Sequence, residues 1–129
     1  MEEQTKYILI AEDDQIGFLL LSNFLKKAGY STIRAVNGKE AVDLCHENQM
    51  IAIVLMDINM PVMDGFEATR IIKSFRKDLP VVAVTAYTMD NTREIASEAG
   101  CDDYLPKPVD KTVLIEMIES LAPGLGKPI

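Results

Sequence analysis

The chain has 129 residues, 48% of them hydrophobic and 26% charged, which is typical of one globular domain and not of a disordered segment. The formal net charge of -7 disfavours contact with the phosphate backbone of nucleic acids. No signal peptide or membrane span is recognisable, and Cys45 and Cys101 have no metal-binding spacing. We therefore expect a cytoplasmic domain with two reduced thiols and no membrane contact.

Short apolar runs rich in isoleucine and valine alternate with longer segments of helical periodicity. The runs predict five strands, buried on both faces, at residues 7–11, 32–35, 51–56, 81–85 and 103–105. The first helix begins with Ile16, Leu19, Leu20, Asn23 and Phe24 at helical spacing and ends near Gly29. Four further helices are predicted: one after Gly38, one from about Phe66 to before Pro80, one ending at Gly100 and one around residues 113–121.

This alternation predicts an α/β fold in which helices cover both faces of a parallel sheet. Right-handed crossovers leave few topologies for such a chain. Residues 1–122 are expected to form the domain, and residues 123–129, with two glycines and two prolines, a C-terminal tail or the start of a linker.

Acidic, hydroxyl and ammonium side chains follow four of the predicted strands. Glu12, Asp13 and Asp14 follow the first strand, and the third ends in Asp57. Thr85 ends the fourth strand, and Lys107 follows the fifth. Because ligands of open parallel sheets bind at the carboxyl ends of the strands, these groups are expected to meet in one site.

Clustered carboxylates repel one another unless a cation compensates their charge. Mg²⁺ prefers oxygen ligands and commonly takes one or two carboxylates together with a phosphate. Glu12, Asp13 and Asp57 are therefore candidate Mg²⁺ ligands, and Lys107 could pair with Asp57 or with a phosphoryl oxygen. Asp14 and Asp64 are adequately explained as helix caps or turn residues.

Four segments carry a resemblance to a known family: residues 8–14 (ILIAEDD), 56–65 (MDINMPVMDG), 84–86 (VTA) and 103–108 (DYLPKP). Over nearly its whole length the chain resembles the receiver domain of response regulators and hybrid sensor kinases. The resemblance implies a (βα)5 flavodoxin-like, doubly wound, five-stranded parallel sheet of order 2-1-3-4-5. Family members usually have a cis bond before the proline that matches Pro108.

The resemblance also implies a role for each matching residue. Asp57 matches the phosphoacceptor, and Glu12 and Asp13 match the acidic pair that holds Mg²⁺. Asn59 matches the position whose backbone carbonyl contacts the metal, and Lys107 matches the lysine of the site. Thr85 matches the switch hydroxyl and Tyr104 the switch aromatic. A further hypothesis is that Tyr87 shields the acyl phosphate from water.

The expected function is that of a signalling receiver in a phosphorelay. Asp57 would take its phosphoryl group from a phosphohistidine of a histidine kinase or histidine phosphotransfer domain, and self-phosphorylation and autodephosphorylation would be its only chemistry. Phosphorylation would shift the face formed by the fourth helix, fifth strand and fifth helix through Thr85 and Tyr104, with a phosphorylation-dependent dimer as one outcome.

Other functions fit the sequence less well. A phosphatase of the haloacid-dehalogenase type needs a second aspartate where Asn59 stands, and a flavin carrier needs a phosphate-binding loop where the three acids stand. A degenerate receiver acting only as an interaction module is the main alternative. The sequence leaves open whether the chain is a stand-alone regulator or a segment of a hybrid histidine kinase.

Overall fold

The computed structural model describes residues 5–86 and 91–125. Within them, strands and helices alternate in the order β1 (Tyr7–Ala11), α1 (Gln15–Lys27), β2 (Ser31–Ala35), α2 (Gly38–Glu47), β3 (Ile51–Asp57), α3 (Gly65–Phe75), β4 (Val81–Thr85), α4 (Thr92–Ala99), β5 (Asp103–Pro106) and α5 (Lys111–Leu121). The predicted alternation is confirmed. At most of the element ends, the observed boundary differs from the predicted one by a few residues.

All strand pairs are parallel, and the sheet has the order β2-β1-β3-β4-β5. The expected (βα)5 flavodoxin-like, doubly wound fold is confirmed. Strand order reverses between β1 and β3, which both lie inside the sheet. The carboxyl ends of these two strands therefore border the crevice in which such folds bind ligands.

Side chains at the helix starts explain where several helices begin. The Asp14 carboxylate accepts a hydrogen bond from the backbone N–H of Gly17 at 2.9 Å, and the Asp64 carboxylate accepts one from Glu67 at 2.9 Å. Both acids therefore cap helices, as predicted, because they satisfy N–H groups that have no partner inside the helix. At the other end of α4, Gly100 has a φ of 102°, which glycine adopts without steric cost.

The sheet separates two hydrophobic layers. One layer packs β-strand residues against α2 and α3, with Cys45 and Ile72 among its buried members. The other packs them against α1 and α5, with Leu25, Leu114 and Ile118 among its buried members. The layers use alternate residues of the inner strands, as a sheet covered on both faces requires.

The prediction that all five strands are buried on both faces is wrong for the two edge strands, β2 and β5. Strand β2 is buried only at Ala35, with Ser31 exposed and the residues between them half-buried, and β5 is buried only at Leu105. Each of them forms one edge of the sheet and has a neighbour on one side only. An edge strand of this kind tolerates polar residues, Arg34 among them.

Of the residues whose spacing predicts α1, only Phe24 packs against the core. Ile16 and Leu20 are 70% and 69% exposed, and Leu19 is 43% exposed. The other residues of α1 that face the core are Phe18, Leu21, Ser22 and Leu25, of which Leu25 is fully buried. Apolar residues occur on more than one side of this helix, so its periodicity could not identify the buried side.

The predicted boundary after residue 122 stays a prediction. Leu125 is buried and packs in the layer of α1 and α5, and residues 126–129 of the predicted tail lie outside the described part of the chain. Within the described residues, no helix combines the length and hydrophobicity that crossing a bilayer requires.

Candidate functional site

The carboxyl ends of the strands bring the predicted site residues to one edge of the sheet. β1 ends at Ala11, directly before Glu12, and β3 ends at Asp57. β4 ends at Thr85, and Lys107 follows β5. The backbone N–H of Lys107 donates a hydrogen bond to the Thr85 carbonyl at 2.9 Å, which holds the ends of β4 and β5 together.

Three carboxylates meet at this edge. One carboxylate oxygen from each of Glu12, Asp13 and Asp57 lies within 4.8 Å of the others. Glu12 and Asp57 are buried, whereas Asp13 is exposed. A site with two buried oxygen donors and one solvent-facing donor fits a hard divalent cation that keeps several waters, as Mg²⁺ does. The residues that the sequence predicts as metal ligands can therefore hold such an ion.

Lys107 bridges two of these carboxylates. Its Nζ lies 2.7 Å from Glu12 Oε1 and 3.3 Å from Asp57 Oδ2. Burial lowers the pKa of Lys107, but the hydrogen bond to Glu12 and the charges of Asp57 and Glu12 together raise it by more, so the net pKa is above the ordinary lysine value. The ammonium group therefore stays charged and offsets part of the negative charge of the site.

The Glu12 carboxyl is the acidic group of the site whose pKa is raised. Burial raises its pKa above the ordinary value of 4.5, and the neighbouring Asp57 raises it further, against the lowering effect of Lys107. One ammonium cannot compensate three carboxylates. The site is thus electrostatically prepared for an added cation.

The loop after β3 fixes the position of Asp57. The backbone N–H of Asn59 donates a hydrogen bond to Asp57 Oδ1 at 3.1 Å. Further along the loop, the N–H of Met63 donates to the carbonyl of Pro61 at 2.7 Å across Val62, whose φ is 71°. This is a γ-turn with a positive central φ, a strained arrangement for a β-branched residue.

The predicted switch residues lie on β4 and β5. Thr85 is 1% exposed at the end of β4. Tyr104 pairs in register with Ala83 and packs against the small cluster of Ile58, Ala83 and Ala96. The guanidinium of Arg93 on α4 lies 5.6 Å from the centre of the Tyr104 ring. The two predicted switch residues thus belong to adjacent strands, and Tyr104 also contacts α4. The Lys107–Pro108 bond is cis, as expected, and Tyr87 lies outside the described residues.

Two features next to the site were not predicted. The exposed side of α1, formed by Ile16, Leu19 and Leu20, begins one turn from the acidic residues. Arg34 of β2 donates hydrogen bonds to the backbone carbonyls of Glu12 and Asp13. No sequence motif marks a side chain whose acceptors are backbone atoms, so only the structure could reveal this contact.

The chain is similar to known receiver domains over most of its length. The family model of the response regulator receiver domain matches residues 8–119. The polar-differentiation response regulator DivK of Brucella ovis is 36% identical over 118 residues, which cover 90% of this chain and 95% of DivK.

Two solved structures are similar in fold and sequence. The receiver domain of a sensor histidine kinase from Pseudomonas aeruginosa, with a magnesium ion coordinated in its active-site cleft, has a TM-score of 0.83 and 30% identity, covering 92% of this chain and 98% of that one. The receiver domain of Saccharomyces cerevisiae Ssk1, crystallised with the histidine phosphotransfer protein Ypd1, has a TM-score of 0.83 and 32% identity, with 92% and 89% covered.

Proposed function

The chain belongs to the response regulator receiver domain family, and on this premise we propose that Asp57 accepts a phosphoryl group from a phosphohistidine in a Mg²⁺-dependent reaction. The observation that carries the proposal is the buried Asp57 carboxylate, grouped with Glu12 and Asp13 and paired with Lys107. A helix cap or a surface ion pair would not require four strand ends to contribute complementary groups.

The metal ligands in this proposal are Glu12, Asp13 and Asp57, together with the backbone carbonyl of Asn59. The chemistry that bound Mg²⁺ supplies is neutralisation of charge on the phosphoryl oxygens. The cluster of oxygen donors supports this assignment, and so does the magnesium ion in the similar receiver from Pseudomonas aeruginosa.

The transfer itself needs a nucleophile and a cation that this chain provides. An Asp57 carboxylate oxygen attacks the phosphorus, the phosphorus–nitrogen bond to the donor histidine breaks, and the imidazole leaves with the electron pair of that bond. Lys107, now 3.3 Å from Asp57 Oδ2, pairs with a phosphoryl oxygen. Autodephosphorylation reverses the modification when water attacks the acyl phosphate. The domain therefore acts as a signalling device and not as an enzyme with its own substrate.

The switch in this proposal begins at Thr85. A phosphoryl group on Asp57 adds a charge of about −1.5 to −2, if it behaves as other protein phosphates do. The Thr85 hydroxyl moves to hydrogen-bond it, Tyr104 turns inward, and the face formed by α4, β5 and α5 changes its packing. Thr85→Ala should then still accept phosphate but lose the downstream response; a variant that signals normally would contradict this step.

The partner is a histidine kinase or a histidine phosphotransfer domain, and the exposed side of α1 is its contact surface. Ile16, Leu19 and Leu20 offer adjacent exposed apolar side chains on the helix that begins directly after the acidic residues 12–14. The similar Ssk1 receiver was crystallised with a histidine phosphotransfer protein. Leu20→Asp should slow phosphorylation by a phosphorylated protein donor and leave phosphorylation by acetyl phosphate unchanged. Equal slowing with both donors would argue against α1 as the contact surface.

We place the domain in the cytoplasm, where two-component phosphotransfer takes place, and the unpaired Cys45 and Cys101 suit a reducing compartment. The net charge of -7 makes direct nucleic-acid binding by this domain unfavourable. A dimer formed through the α4, β5 and α5 face is the expected consequence of phosphorylation.

The decisive experiment is intact-mass analysis after incubation with acetyl phosphate, with Mg²⁺ and with a chelator, on the wild type and Asp57→Asn. One added phosphoryl group that requires Mg²⁺ and disappears in the variant is the expected result. If neither acetyl phosphate nor a phosphohistidine donor modifies the protein, and fluoroberyllate does not bind, the chain is a degenerate receiver that serves as an interaction module.

A further inference from the structure

Arg34 lies on the edge strand β2, beside the loop that carries the acidic pair. It pairs in register with Ile10 of β1, so both side chains point to the face of the sheet that α1 covers. On that face it meets Phe18 of α1, whose ring centre lies 5.0 Å from the guanidinium carbon. The ring restricts where the guanidinium can go and favours its charge.

The guanidinium holds two successive peptide groups of that loop. Arg34 Nε donates to the carbonyl oxygen of Glu12 at 3.2 Å, and its Nη2 donates to the carbonyl oxygen of Asp13 at 3.1 Å. The planar guanidinium presents these donors at a fixed spacing, so the two carbonyls are constrained relative to each other. The backbone N–H of Glu12 is also bound, to the carbonyl of Ala35 at 2.9 Å.

These contacts act on residues whose side chains repel one another. The carboxylates of Glu12, Asp13 and Asp57 converge within 4.8 Å, and without a cation the loop would relax by turning an acid away. Fixing the peptide groups on either side of Asp13 opposes that relaxation for the exposed member of the group. The loop can then present its oxygens before the cation arrives.

We propose that Arg34 is a positioning residue of the Mg²⁺ site: by holding the carbonyls of Glu12 and Asp13 it keeps both carboxylates directed at the metal position. This inference rests on the proposed function, because it assumes that Glu12, Asp13 and Asp57 bind Mg²⁺. Groups that orient metal ligands without touching the metal commonly change metal affinity or activity by roughly 10- to 100-fold.

The positive charge of Arg34 and its hydrogen bonds have opposite effects on the affinity for Mg²⁺, so variants can separate the two effects. A positive charge near the site weakens cation binding, whereas the hydrogen bonds strengthen it. Arg34→Lys keeps the charge but cannot bind both carbonyls in the same geometry. Arg34→Met keeps the apolar length of the side chain and removes both the charge and the hydrogen bonds.

The matched control is Arg76→Lys. Arg76 also holds backbone carbonyls with its guanidinium, those of Cys45, Asn48 and Ile51. Ile51 begins β3 and Asp57 ends it, so this contact lies roughly 20 Å from the site at the rise of a β-strand. The control should lose stability through the same kind of change and leave metal binding unaltered.

The experiment is calorimetric titration with Mg²⁺ of four proteins: the wild type, Arg34→Lys, Arg34→Met and Arg76→Lys. Backbone amide NMR spectra of the same proteins are recorded alongside. The temperature is one at which urea denaturation shows that each protein is fully folded. We expect Arg34→Lys to raise the dissociation constant about tenfold, the lower end of the usual range, and Arg34→Met to raise it less. Arg76→Lys should match the wild type. The amides of residues 12–14 should differ from the wild type in metal-free Arg34→Lys and not in Arg76→Lys.

The outcomes separate the inference from its premise. A dissociation constant of Arg34→Lys within about twofold of the wild type would overturn the positioning role, as would an equal increase in Arg76→Lys. Absence of saturable Mg²⁺ binding in the wild type would instead overturn the proposed metal site, and the positioning role with it. A weakened Arg34→Lys beside an unchanged Arg76→Lys would support both.

Discussion

A side chain at Gly65 would meet the backbone of the proposed phosphoacceptor, so Gly65→Ala tests how rigidly the fold holds Asp57. Gly65 begins α3, and its N–H donates to the carbonyl of Ile58 at 3.0 Å. A methyl group there would overlap the Asp57 carbonyl oxygen and lie 2.9 Å from both the Ile58 Cα and the Met56 Cγ. Two of these three atoms belong to the backbone of the segment that carries Asp57.

The expected loss in the free energy of unfolding of Gly65→Ala depends on which of these atoms can move. Overpacking of this kind typically costs about 1–3 kcal/mol, and replacing glycine by alanine inside a helix returns at most about 1 kcal/mol. Because Asp57 and Ile58 cannot yield without displacing the site, we expect a net loss of about 2 kcal/mol, a large share of the roughly 5–15 kcal/mol available to a domain. Phosphorylation by acetyl phosphate should slow in parallel, because Asp57 moves.

Gly17→Ala is the control for this comparison. A methyl group at Gly17 would lie 3.2 Å from Asp14 Oδ2 and 3.3 Å from Glu12 Oε1. A shift of a few tenths of an ångström at these side-chain ends relieves the contact without moving the backbone and without breaking their hydrogen bonds. We expect its stability to stay within about 1 kcal/mol of the wild type, since helix propensity favours alanine. Urea denaturation of the three proteins measures both effects. Equal stability of Gly65→Ala and Gly17→Ala would refute the reasoning from backbone contact.

Three further outcomes follow from the structure. Because the pKa of Glu12 is raised above 4.5 in the folded chain, its carboxyl stabilises the metal-free protein below the unfolded pKa, and this contribution is lost as pH rises through the folded pKa. In the presence of chelator, the free energy of unfolding of the wild type should therefore fall relative to that of Glu12→Gln as pH increases over that window. A difference between the two proteins that does not change with pH would contradict the raised pKa of Glu12. Val62→Gly should stabilise the protein by about 1 kcal/mol in urea denaturation, because relief of a strained positive φ outweighs the added entropy of the unfolded chain; a loss of stability would show that Val62 is not strained. Burial raises the pKa of Cys45 to about 11, so iodoacetamide at pH 8 should leave this thiol unmodified until urea unfolds the protein, and rapid native labelling would be inconsistent with its burial.

Most of the fold and the set of site residues were predictable from the sequence. β1, β3 and β4 are inner strands, so their apolar runs are continuous and easily recognised. The acidic residues of the candidate site lie at the ends of β1 and β3, and the geometry of a parallel sheet brings the ends of its strands together. The convergence of Glu12, Asp13 and Asp57 could therefore be predicted from the sequence alone.

The parts that could not be predicted depend on packing between distant elements. α1 has apolar residues on both its exposed and its buried sides, and only contact with the sheet shows that Leu25 is buried and Leu20 is not. The shorter contact of Lys107 with Glu12 than with Asp57 depends on differences of less than one ångström. Arg34 acts on backbone atoms, which every residue has, so its role leaves no pattern in the side chains.

The ion pair of Lys107 with Glu12 also has a consequence for the order in which the chain becomes functional. The two residues are 95 positions apart in sequence, and they close the site between the beginning and the end of the domain. Contacts of such separation form late in folding, because the intervening chain must first be ordered. During synthesis, the acids of β1 and β3 leave the ribosome well before Lys107 does. A nascent or truncated chain would carry the acidic pocket without its ammonium group, so the ability to receive a signal would arise only once the last strand has joined the sheet.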